Sequence, residues 1–202
     1  MIGAVEVFSD NSATRAMMEQ VKWLESLAYV DPLTALPNRR YAQTALHNRL
    51  EEMRRYGWVV GLLVADVDHF KRVNDRWGHP AGDQVLQMVA RTLSHSARAF
   101  DVVARWGGEE FVIVLPHVDA PGLKSAASRF RALVERSDLR YGDQILRVTI
   151  SLGGTLAVAT DTVETLFARA DEALFRAKEE GRNRVCLNLP DGFVLLASEP
   201  TP

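Results

Sequence analysis

Two apolar runs, Val102-Val103-Ala104 and Phe111-Val112-Ile113-Val114-Leu115, are separated only by Arg105-Trp106-Gly107-Gly108-Glu109-Glu110. Such a stretch has few ways to fold. Runs rich in β-branched residues flanking two adjacent glycines read as antiparallel strands joined by a tight turn, because glycine accepts positive φ without a steric penalty and twist-matched two-residue turns need it. The pattern predicts a hairpin with Gly107-Gly108 as its loop and the acids Glu109 and Glu110 at the turn. Upstream, Leu62-Leu63-Val64-Ala65 runs straight into Asp66-Val67-Asp68, a second acid cluster at the end of a buried strand. Carboxylates from a strand end and a neighbouring hairpin can converge on Mg²⁺, which prefers hard oxygen ligands and commonly binds together with phosphates.

The remaining motifs narrow the reading. Asp31-Pro32-Leu33-Thr34-Ala35-Leu36-Pro37-Asn38-Arg39-Arg40, Asp66-Val67-Asp68-His69-Phe70-Lys71 with Asn74-Asp75, Gly78-His79-Pro80-Ala81-Gly82-Asp83, the hairpin itself, and Ala177-Lys178-Glu179-Glu180-Gly181-Arg182-Asn183 follow one another along the chain. Together they resemble, in order, the DxLTxLxNRR, DxDxFKxxND, GHxxGD, GGEEF and AKxxGRN motifs of the GGDEF family, the diguanylate cyclases. The resemblance covers about residues 29 to 188, and five motifs in order are far more specific than any one alone. Departures are small. Ala35 stands for the usual glycine, Trp106 for a common tyrosine or phenylalanine, Phe175 for a frequent tyrosine and Gly154 for a frequent alanine; none removes a candidate ligand.

The chain of 202 residues suffices for one well-packed domain plus appendages. Its 24 basic and 26 acidic residues give a net charge of −2, so nothing global points to nucleic-acid binding. Cys186 is alone, which fits a reducing, cytoplasmic location. No apolar run approaches the ~20 residues needed to span a bilayer.

Residues 1–28 read as a remnant strand, Ala4-Val5-Glu6-Val7-Phe8, followed by a signalling helix over Ser12–Ala28 with a coiled-coil-like seam at Met17, Val21, Leu24 and Ala28. Helices are expected over Tyr41–Met53, Pro80–Ser96, Pro121–Val134 and Thr162–Lys178, the last stopped by Gly181. Strands are expected over Trp58–Val67, in the hairpin, across the alternating Leu146, Val148, Ile150 and Leu152, and over Arg184–Asn188. This order suits a ferredoxin-like α+β sandwich, a central antiparallel sheet flanked by helices. By resemblance it is the palm-like nucleotidyl cyclase fold, occupying residues 29–189, with 190–202 as a tail.

The resemblance implies condensation of two GTP into cyclic di-GMP and two pyrophosphates. Asp66, the carbonyl of Val67, Glu109 and Glu110 are then the ligands of Mg²⁺ or Mn²⁺, two ions per site, and Glu109 helps deprotonate the 3′-hydroxyl. Asn74 and Asp83 read the guanine edge, with His79 near the nucleotide; a carboxylate can accept from guanine N1–H and the 2-amino group together, which adenine cannot supply. Lys71, Lys178, Arg182 and the backbone at Phe70 hold phosphates. Arg98-Ala99-Phe100-Asp101 has the position of an RxxD product-inhibition site, with Arg129 as its second arginine. The implied assembly is a homodimer through the N-terminal helix or the domain faces, since each half-site holds one GTP. Bland explanations exist residue by residue: acids favour first helical turns, as at Asp83, and basic residues favour last turns, as at Lys178. An alternative is a non-catalytic module acting as a receptor for GTP or cyclic di-GMP; the intact Glu109-Glu110 pair counts against it.

Overall fold

A computed structural model of the chain describes residue 17 and residues 28–196. The strand expected over residues 4–8 and most of the helical seam, Val21 and Leu24 included, lie outside the described residues, as do residues 197–202. In chain order the elements are α1 (Arg39–Tyr56), β1 (Val60–Val67), α2 (Phe70–Trp77), α3 (His79–Ser96), β2 (Val102–Gly107), β3 (Glu110–Pro116), α4 (Ala120–Glu135), β4 (Leu139–Tyr141), β5 (Gln144–Leu146), β6 (Ile150–Leu156), α5 (Val163–Glu179), β7 (Val185–Leu189) and β8 (Gly192–Leu196).

Six strands form one sheet in the order β2-β3-β1-β6-β7-β8, and β4 pairs with β5 as a separate hairpin. β1 is antiparallel to both β3 and β6, and β7 is parallel to β6. The part β2-β3-β1-β6, crossed by α2–α3 and by α4, is the ferredoxin-like arrangement expected from the sequence. β1 is buried at every residue because helices cover both of its faces. Leu62 and Val64 pack with Val112 and Val114 against Leu46 and Leu50 of α1 and Leu166 and Leu174 of α5. Leu63, Ala65 and Val67 pack with Phe111 and Ile113 against Val85 and Val89 of α3 and Leu123 and Phe130 of α4. Successive strand residues face opposite sides. Asp66, in phase with Leu62 and Val64, therefore emerges on the α1/α5 side, where Glu110, in phase with Val112 and Val114, also lies.

Three parts of the fold differ from the sequence expectation. α2 was not anticipated: Phe70, Val73 and Trp77 do recur at helical spacing, but over only eight residues, fewer than three turns, and only Phe70 is buried. The alternation Leu146-Val148-Ile150-Leu152 is buried throughout, yet Leu146 ends β5 and the sheet strand begins at Ile150. One continuous buried face thus serves two different pairings. The region expected as a tail contributes β8, whose Gly192–Leu196 pairs antiparallel with Val185–Leu189 of β7 after a turn at Pro190-Asp191.

Candidate active site

β2 and β3 pair Arg105 with Phe111 and Gly107 with Glu110, with a bulge at Trp106 between them. The bulge consumes one residue, so the two-residue loop is Gly108-Glu109 rather than Gly107-Gly108. Gly108 takes the left-handed region at φ 52°, and Gly107, the last residue of β2, also has a positive φ of 158°. Glu109 becomes a loop residue, and Glu110 the first residue of β3. Arg105 braces the turn: Nη2 donates to the Gly108 carbonyl at 2.7 Å, while Nη1 donates to both Asp31 oxygens at 3.1 Å. Asp31 also accepts from the Thr34 N–H and hydroxyl at 2.9 and 2.7 Å. Burial alone would raise the Asp31 carboxyl, but the Thr34 bonds and Arg105 hold it below the ordinary carboxylate range. The opening motif is therefore a clamp on the hairpin. Ala35, standing for glycine, sits within it at φ 57°, a strained conformation for a residue with a Cβ.

The register of β1 against β3 places Asp66 directly opposite Glu110. The Val67 N–H donates to the Glu109 carbonyl at 3.3 Å, tying the loop to the strand end. Asp66 is buried and Lys178 Nζ, from the last turn of α5, lies 2.8 Å from its Oδ2. Burial pushes the Asp66 carboxyl above its usual value against the opposing pull of Lys178. Glu109 and Glu110 are likewise raised, first by burial and next by the charge of Asp66. Among the described residues no three His, Cys, Asp or Glu side chains already converge in metal-holding geometry. The donor chemistry nonetheless fits a hard divalent cation: three acids whose carboxyls are raised first by burial, and in the glutamates next by Asp66, supply hard oxygen donors that a cation would hold in the ionised form.

Asp68 does something different. Its oxygens accept from the hydroxyls of Thr149 and Ser151, both at 2.7 Å, and from the Asn183 N–H at 3.0 Å. It is a buried lock joining β1, β6 and the loop after α5. That loop carries two consecutive residues at positive φ, Arg182 at 63° and Asn183 at 46°. Non-glycine residues persist there only where the surroundings over-determine them, as ligand-holding loops often do. The loop brings the Arg182 charge within reach of Asp66. The resemblance named Asp66 and not Asp68 as a ligand; what the structure adds is that the Asp68 carboxylate is already taken up by Thr149, Ser151 and Asn183.

α2 and α3 carry the residues expected to hold the base. Asn74 Oδ1 is buried and has no hydrogen-bond partner, a rare condition for a buried amide oxygen and one that a donor-bearing ligand would relieve. A Cβ on Gly82 would lie 2.0 Å from that oxygen, so the glycine is what makes room for Asn74. Gly82→Ala is expected to displace the Asn74 amide and cost roughly 1–3 kcal/mol of stability through overpacking, as urea unfolding measures; if the expected GTP binds here, calorimetric titration should show it weakened at least tenfold. His79 opens α3 and is exposed; Asp83, expected in the first turn, is exposed one turn further on because the helix begins before Pro80, and the first turn holds no acid. Lys71 is exposed on α2, and Phe70 is buried beneath the turn. No side chain caps the start of α2 after His69, leaving its first amides open.

Arg98 and Asp101 come together as a closed turn: the Arg98 N–H donates to Asp101 Oδ2 at 2.8 Å and the Asp101 N–H to the Arg98 carbonyl at 3.0 Å. This leaves the Arg98 side chain exposed beside Phe100, which is 75% exposed. Arg129, on α4, stacks over the neighbouring Phe130 instead and is not joined to that turn by any bond between described residues.

Residues 28–184 match the family model described as the diguanylate cyclase GGDEF domain. The chain belongs to the GGDEF family. Diguanylate cyclase DgcP of Pseudomonas aeruginosa is 40% identical over 158 residues, covering 78% of this chain and 24% of that protein. Response regulator PleD of Caulobacter vibrioides is 41% identical over 162 residues, covering 79% of this chain and 36% of that protein. The chain thus spans well under half the length of these relatives. The crystal structure of the coiled coil and GGDEF domain of DgcB from Caulobacter crescentus in complex with c-di-GMP superposes with a TM-score of 0.83 at 30% identity, covering 88% of this chain and 94% of that one. The active GGEEF domain of a Vibrio cholerae diguanylate cyclase superposes at 0.69 and 27% identity, covering 74% and 96%. The likeness supports a GGDEF cyclase. No helix among the described residues is long and apolar enough to cross a membrane.

Proposed function

We propose that this GGDEF domain is a diguanylate cyclase that condenses two GTP into cyclic di-GMP and two pyrophosphates. The observation that carries the reading is the β1–β3 register, which sets Glu110 opposite Asp66 while Glu109 is bound through its backbone to Val67. Asp66, the Val67 carbonyl, Glu109 and Glu110 would hold Mg²⁺ or Mn²⁺, two ions per site. When bound, the metal supplies charge neutralisation across the phosphate oxygens of the transferred group. Glu109, with a carboxyl already raised in proton affinity, takes the 3′-hydroxyl proton. Lys178, released from Asp66, joins Lys71 and Arg182 on the leaving pyrophosphate, and the open amides at Phe70 support it. The buried Asn74 oxygen and the Asp83 carboxylate accept from the guanine edge, and His79 flanks the base. One domain holds one GTP, so two copies must face each other, brought together by the N-terminal helix or by the domain faces.

Base choice gives the test. Asp83→Ser leaves the guanine edge partly unpaired, about 1–3 kcal/mol of binding. In direct GTP–ATP competition the variant is expected to lose most of its preference for GTP; unchanged preference would make Asp83 an exposed surface acid of α3 only. Arg98 and Asp101 form the RxxD site for product, with Arg129 as its outlying member. Arg98→Ala is expected to weaken cyclic di-GMP binding in calorimetry and to relieve inhibition without changing the initial rate, and equal affinity in both forms would remove the site.

A further inference from the structure

The opening motif leaves two cations unexplained. Asp31, Thr34 and Asn38 have structural partners, whereas Arg39 and Arg40 have no ion-pair partner among the described residues. Both line a recess of about 490 Å³ together with Arg105, Trp106, Gly107 and Gly108, on the flank of the catalytic hairpin. Arg39 is held in place: its guanidinium lies 4.6 Å from the centre of the Trp106 ring, which stacks in turn on Phe167 at 4.5 Å. The Trp106 bulge that shifted the hairpin loop is thus also what presents the arginine, and a cation on an aromatic face keeps its N–H edge available to an anion. The facing acids do not cancel the charge. Asp31 is matched by Arg105, and Glu110, which feels the Arg39 charge, does not line the recess.

We propose that this recess is a second anion site of the domain, taking phosphate groups through Arg39 and Arg40 and separate from the Lys71, Lys178 and Arg182 set. The choice of phosphate among anions rests on the nucleotide reading above. The phosphates come either from the nucleotide carried by a facing second copy or from free pyrophosphate released in the reaction. Planar forked guanidinium groups on two adjacent positions suit bidentate contacts to either.

The binding arm needs no turnover, so it stands even if the chain proves not to be a cyclase. Inorganic pyrophosphate is titrated into the Lys178→Ala, Arg182→Ala chain without metal, following the Arg39 Nε and Trp106 Nε1 proton–nitrogen resonances. Both should shift saturably, and adding Arg39→Ala with Arg40→Ala should weaken binding at least tenfold. The same two local resonances in the wild-type chain serve if the first background does not fold. Resonances that stay still, or equal affinity with and without the arginines, would overturn the site. The turnover arm separates the sources in the otherwise wild-type chain bearing Arg39→Ala and Arg40→Ala. For a facing nucleotide, the rate at saturating GTP falls at least tenfold while pyrophosphate inhibition is unchanged. For free pyrophosphate, the initial rate holds while inhibition weakens at least tenfold. A variant unchanged in both rate and inhibition would refute the proposal.

Discussion

Glu109→Gln is expected to lower cyclisation of GTP by about a thousandfold, roughly 4 kcal/mol of lost transition-state stabilisation, because on the proposed reading it removes both a charged metal donor and the proton acceptor. The fold should survive, since the Glu109 contact to β1 runs through its backbone carbonyl, not its side chain. Unfolding should even become slightly harder at neutral pH. The Glu109 carboxyl is raised in the folded state by burial and by Asp66, with Lys178 opposing. A raised acid stabilises the fold only at low pH, and that contribution is lost as pH climbs through its folded value. Wild type is thus penalised above that value in the absence of metal, the glutamine variant is not, and the difference should vanish under acid conditions where both are neutral. Thermal unfolding across pH reads this. A variant with wild-type turnover would remove Glu109 from the chemistry.

The second large effect is on stability. Asp68→Ala leaves two hydroxyls and one backbone N–H, all facing a buried position, without their acceptor. A loss of roughly 3 kcal/mol is expected, which for a domain of this size lowers Tm by about 10 °C. The loop bearing Arg182 and Asn183 should loosen with it, so GTP binding should weaken although Asp68 is not expected to touch the nucleotide. Scanning calorimetry with and without GTP separates the two consequences. A change of Tm within a degree or two would show that the loop is held by something else.

The contrast between Asp66 and Asp68 illustrates what the sequence could carry. Motif order located both acids at the end of a buried strand, and the apolar run before them made β1 legible. The resemblance singled out Asp66, but why Asp68 is engaged elsewhere was not legible, because its partners Thr149, Ser151 and Asn183 are distant in sequence. The hairpin was legible for its two glycines but not its register: the bulge falls at Trp106, which stacks on Phe167, distant in the chain. α2 was hidden by its shortness, eight residues between two motifs, and β8 by a turn whose proline and aspartate read equally well as the start of a tail. The role of Arg105 as a clamp on Asp31 had no sequence signal beyond the two residues' presence in separate motifs.

The central claim is that the acid pair set opposite β1 performs GTP cyclisation. Phosphorus-31 NMR of the chain with GTP and Mg²⁺ tests it most directly. The account predicts two pyrophosphates released for every cyclic di-GMP formed, none without divalent metal, and no cyclic product from ATP alone. GTP that binds and is released intact, or that is only hydrolysed, would contradict it.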